Sequence, residues 1–162
     1  MEGTYEPVHV FAESDDGPRS GLADFRGRPH LYQSLYRDWD RPDEPGQDHF
    51  ALVPVPDAEV TALLARLRCL GVDPEVVMVT QSDVPLEHTP AFWAAWNDLR
   101  CLAVAGTDQA VLAACEMRVR NGRSLVPFEE EGPLEARWAV VPPDWMSGPA
   151  LRERWAELER RV

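Results

Sequence analysis

Residues 49–55, His-Phe-Ala-Leu-Val-Pro-Val, are apolar at odd and even positions alike. Alternate side chains of a strand point to opposite faces, so a strand of this composition needs cover on both sides. It belongs in the middle of a sheet. Pro54 counts against the assignment, because a proline inside a sheet removes a ladder hydrogen bond.

Other strands are marked less sharply. Residues 7–12 are rich in β-branched and aromatic side chains. Residues 22–26 and 30–37 are expected to pair around a turn at Gly27-Arg28, loosened because Pro29 has no N–H to close it. Asn121-Gly122 between extended segments is a strong hairpin signal, and Leu134, Ala136, Trp138 and Val140 alternate as a further strand. Residues 75–80 read as a short buried strand, whereas Val111 and Leu112 fit no pattern.

Helical spacing is clear in three places. Val60, Leu63, Leu64, Leu67 and Leu70 form one stripe, with Asp57 as cap and Gly71 as stop. Thr89-Pro90 opens a second helix lined by Phe92, Trp96, Leu99 and Ala103, with Trp93 widening the face. Residues 147–162 make a third, with Leu151, Trp155, Leu158 and Val162 as a narrow stripe. The expected fold is α+β: a single domain over residues 1–162, mainly antiparallel sheet, with about three helices packed mostly on one face.

Charge then limits the function. The chain of 162 residues carries a net charge of −12, its 16 basic residues all being arginine. Without lysine there is no phosphate-loop lysine, Schiff base or lysine general base. The absence of lysine and isoleucine, both with A/T-rich codons, points to a GC-rich bacterial genome. No basic footprint exists to neutralise nucleic-acid phosphates, and an acidic surface disfavours anionic membranes. Attraction to a basic protein is the partnership this charge favours. No signal peptide or apolar run long enough to cross a bilayer is visible, so a cytoplasmic location is expected. Cys69, Cys101 and Cys115 lack metal or redox spacing and read as buried free thiols.

Two groups of residues are candidates for function. His30, Tyr32 and Tyr36 share one parity of a strand, and thus one face. In simple antiparallel register with residues 49–55, Tyr36 would lie near Phe50. The loop that follows holds Asp38, Trp39, Asp40, Asp43 and Glu44, an aromatic anchor among acids. Tryptophan is enriched in binding hot spots, and surrounding carboxylates would steer a basic partner toward it. The loop does not match the calcium-binding pattern, since counting from Asp38 puts Pro42 at the fifth, acidic position, Asp43 at the sixth, where glycine is required, and His49 at the twelfth, where glutamate is required.

Catalytic patterns are weak. His9, His30, His49 and His88 are scattered, no zinc spacing or nucleophile elbow occurs, and no glycine-rich dinucleotide fingerprint is present. No catalytic residue, metal or cofactor is assigned. The expected function is binding of a basic protein through Trp39, Asp38, Asp40, Asp43, Glu44, Tyr32 and Tyr36, in the manner of an immunity protein or adaptor. The alternative is an enzyme or small-ligand binder using the His30/Tyr32/Tyr36 face. Self-association through the Trp155 helix is a further expectation.

Overall fold

The computed structural model describes residues 3–14, 18–35, 49–69, 89–105, 109–120 and 133–141, together with residues 153 and 156. Six strands appear in chain order: β1 (Glu6–Ser14), β2 (Pro18–Phe25), β3 (Arg28–Ser34), β4 (His49–Pro54), β5 (Val111–Val119) and β6 (Leu134–Val140). Between β4 and β5 come α1 (Asp57–Cys69) and α2 (Thr89–Ala105).

Each strand pairs antiparallel with the next, and β6 returns to β1 through Val8–Leu134 and Glu6–Ala136. The sheet is therefore a closed six-stranded barrel. This corrects the expected α+β domain with an open sheet: two helices, not three, pack among the described elements. Closure leaves no free sheet edge, which removes the usual liability of an antiparallel sheet. Of the expected third helix only Glu153 and Ala156 are described, and both are helical.

The two-sided character of residues 49–55 is the physical key to this architecture. Phe50 and Leu52 point into the barrel, where they meet Phe11, Tyr32, Met117, Leu134 and Trp138. Ala51, Val53 and Val55 point outward, beneath Val60, Leu63 and Leu67 of α1 and Trp96, Leu99 and Ala103 of α2. One wall thus serves two cores. Pro54 is tolerated because it is the last residue of β4.

Local chemistry fixes the other elements. Arg26 and Gly27 both have positive φ, 54° and 76°, and Phe25 pairs with Arg28. The turn is a tight two-residue hairpin at 26–27 and not a looser one at 27–28, with left-handed φ at both central positions. Pro29 lies one pair beyond it, opposite Asp24, so its missing N–H is not the one that closes the turn. The Glu6 carboxylate accepts hydrogen bonds from the Arg26 and Gly27 N–H groups, at 3.0 and 2.6 Å.

In α1 the first helical hydrogen bond runs from Val60 N–H to the Pro56 carbonyl, placing Asp57 inside the first turn. Its acids at the start (Asp57, Glu59) and arginines at the end (Arg66, Arg68) oppose the helix dipole. Trp96 is fully buried, and Leu99 and Ala103 continue its face. Cys69 and Cys101 are exposed, correcting the expectation of buried thiols there, and Cys115 is half-buried on the inner side of β5. Gly71, residues 75–80 and the Asn121-Gly122 turn lie outside the described residues. The strand that β5 pairs with is β6, where Val119 faces Leu134. No helix among the described residues is long and apolar enough to cross a membrane.

Candidate functional site

The barrel has two unlike ends. At the lower end lie the Arg26-Gly27 turn, the start of β5 and the end of β6. The upper end is where β1 meets β2 (Ser14 with Pro18), β3 meets β4 (Ser34 with Phe50) and β5 meets β6 (Val119 with Leu134).

His30 and Tyr32 share a face as the sequence indicates, and that face is the barrel interior. Tyr32 is fully buried, its hydroxyl donating to the Val10 carbonyl at 3.3 Å. Its ring meets Phe50 nearly edge-on at 5.9 Å between centroids, and Trp138 at the same separation. Phe50 and Trp138 complete the triangle at 6.0 Å. These contacts, two of them edge-to-face and that of Tyr32 with Trp138 tilted, fill the lumen with aromatic rings at these levels. Tyr32 therefore has no surface to offer a partner, and with His30 it forms no open face for a ligand.

The register also differs from simple pairing. Ser34, not Tyr36, sits opposite Phe50, and Gln33 is opposite Ala51. His30 and His49 still fall on opposite faces. His30 is 7% exposed and packs edge-on against Phe25 at 5.2 Å. Its Nδ1 donates to the Arg28 carbonyl at 2.8 Å, which places the ring proton on that nitrogen. Burial holds its pKa below the usual 6.5, outweighing the Arg28 carbonyl and the fields of Asp24 and Glu6. The ring is a neutral core residue.

The outer wall carries polar groups of three kinds. His9 pairs with Asp24 at 2.9 Å beside a bulge in β1. Beneath α2, Arg100 donates to Gln33 Oε1 at 3.4 Å, and Gln33 is paired across the sheet with fully buried Ser20. On β5 and β6, Arg118 bonds Glu135 at 2.6 Å and Arg137 bonds Glu116. The Tyr5 ring lies 3.7 Å from the Arg118 guanidinium carbon, and its hydroxyl donates to Glu116 at 3.2 Å. Arg137 holds the Glu116 carboxyl below its ordinary pKa, while burial raises that of Tyr5. Among the described residues no group of three or more His, Cys, Asp or Glu is placed to hold a metal.

Tyr36, Asp38, Trp39, Asp40, Asp43 and Glu44 lie outside the described residues, as does Trp155. The strand termini nevertheless fix where their stretch begins and ends. Stretches 15–17, 36–48 and 121–132 each start and finish at the upper end. In sequence they hold ten acids against three arginines, which is seven of the chain's net −12. The sequence shows the acids of residues 38–48, but only strand order shows that the described residues flanking the three stretches lie at one end of the barrel.

The lower end was not singled out by the sequence. Gly3, Thr4, Glu6, Phe25, Arg26, Gly27, Trp138, Ala139 and Val140 enclose an open depression of about 590 Å³. Trp138 Nε1 donates to the Asp24 carbonyl at 3.1 Å, fixing the indole in its floor. Comparison with protein-family models, curated proteins and solved structures returns no match for this chain.

Proposed function

We propose that the chain works by binding a basic protein at the upper end of the barrel, as an immunity-type neutralising partner or adaptor in the bacterial cytoplasm. The supporting observation is topological. Strand order brings the described strand ends that flank three connections to one end of a barrel whose interior holds its own aromatic side chains, and in sequence those connections carry seven of the twelve net negative charges. Convergent carboxylates raise the rate of encounter with a cationic surface and disfavour acidic competitors. Trp39 would supply the buried anchor, with Asp38, Asp40, Asp43 and Glu44 as the steering charges and Tyr36 beside them. Tyr32 is withdrawn from this surface, because it is fully buried.

The test is Trp39→Ala, read by capture of the partner and by thermal stability in parallel. The expected outcome is loss of capture with an unchanged melting temperature. A loss of stability on the scale of a buried tryptophan truncation, about 3–5 kcal/mol, would instead make Trp39 part of the core and remove the anchor.

A further inference from the structure

We propose that the depression at the lower end is a binding site for a small apolar molecule bearing a carboxylate. It lies at the opposite end of the barrel from the acidic connections and is independent of the partner-binding reading. Its volume of about 590 Å³ falls within the range of small-ligand sites, and barrel mouths are a common place for them.

The floor is aromatic: Trp138 and Phe25 line the depression and are otherwise buried among the interior residues. Val140 forms the rim and is 47% exposed, one of only two large apolar residues exposed to this degree among those described. Apolar side chains thus offer cover to an apolar body. The polar requirement comes from Arg26. Its guanidinium carbon lies 4.8 Å from the centre of the Phe25 ring, yet its N–H donors have no carboxylate partner among the described residues. Glu6, the acid nearest in the same rim, has both oxygens engaged by the backbone N–H groups of Arg26 and Gly27. An exposed guanidinium beside an apolar floor favours an acceptor carried by an apolar ligand, and its planar geometry matches a carboxylate.

Two pieces of local geometry hold the arginine there. Its positive φ belongs to the tight turn, and Glu6 clamps that turn from β1. The exposed Arg26 guanidinium then lies over the Phe25 ring, beside the depression.

The experiment is a backbone and indole ¹H–¹⁵N NMR titration of the full chain with sodium octanoate and, separately, with 1-octanol. Saturable shifts are expected at the Trp138 indole N–H and the Gly27 and Val140 amides. Octanoate should bind about fivefold more tightly than octanol, the scale of an exposed ion pair. Arg26→Asn keeps a residue suited to positive φ and should bring octanoate to the level of octanol. Val140→Glu alters an exposed rim position and should weaken both. No saturable shift, shifts confined to other regions such as the exposed Leu102 on α2, or an Arg26→Asn variant that still prefers octanoate would each overturn the proposal.

Discussion

Gly21 and Tyr32 face each other across β2 and β3, and the tyrosine ring occupies the space where a side chain at 21 would stand. A β-carbon at Gly21 would lie well inside van der Waals contact with the Tyr32 hydroxyl and with the Val10 carbonyl oxygen. The glycine is required by close approach, not by its backbone angles. It lets a large aromatic ring cross the lumen and tie β3 to β1 through the Val10 carbonyl.

Gly21→Ala should accordingly destabilise the barrel by about 2–3 kcal/mol, the upper part of the range for overpacking. Urea denaturation measures it. In a Tyr32→Leu background the same change should cost less, since part of the obstruction is gone, so the double-mutant cycle should show coupling. Strict additivity would mean that ring and glycine do not compete for one space.

Trp96→Ala should cost about 3–5 kcal/mol, because Trp96 is fully buried between α2 and the outer wall. Chemical denaturation with an unchanged midpoint would contradict the packing of α2 on Leu31, Leu35 and Val53.

His30 gives a pH dependence with a definite sign. Its pKa is lowered in the folded barrel, so between that value and 6.5 the unfolded chain binds more protons than the folded one. Stability from this group is complete above about pH 6.5 and declines as pH falls through the folded pKa. Comparing wild type with His30→Leu between pH 7.5 and 5 isolates it: the wild type should lose more stability on acidification. Equal losses would show that His30 titrates as in the unfolded chain.

Thiol reactivity follows from exposure. Cys69 and Cys101 are exposed on the two helices and should react rapidly with a disulfide reagent in the native protein. Cys115, half-buried opposite Trp138 inside the barrel, should react more slowly. Three equally fast thiols would mean that the β5–β6 wall opens readily.

Much of the secondary structure was legible in local pattern, and the closure was not. The stripe of Val60, Leu63 and Leu67 and the run at 49–55 each carry their burial in their spacing. Val111 to Cys115 fits no such pattern, because two alanines and a cysteine stand where branched side chains would signal a strand. The two-sided character of residues 49–55 required cover on both faces, but an aromatic lumen and a helical layer satisfy that requirement equally with two helical layers. What decides between them is the pairing of Val8 with Leu134, at opposite ends of the chain, for which neither segment holds a local signal. Register was lost for a similar reason. The turn at Arg26-Gly27 fixes β2 against β3, whereas a long connection between β3 and β4 leaves Phe50 free, in sequence terms, to face Ser34 or Tyr36.

The candidate surface follows the same division. The acids and Trp39 at residues 38–48 are visible in sequence, but that the strand ends flanking this stretch share one end of the barrel with those flanking residues 15–17 and 121–132 follows only from strand order. Arg26 gave no sequence signal, since a lone arginine in a turn acquires meaning only when Phe25 is found beneath its guanidinium and Trp138 in the same depression.

The most direct test of the central claim is capture of the partner from the native host's lysate at low and moderate salt. Wild type would be compared with a variant carrying Asp38→Asn, Asp40→Asn, Asp43→Asn and Glu44→Gln. The expected result is one stoichiometric basic protein, held by the wild type at low salt, released as salt rises and not captured by the neutralised variant. Capture that is indifferent to salt and to the four substitutions would contradict a function built on the acidic end of the barrel.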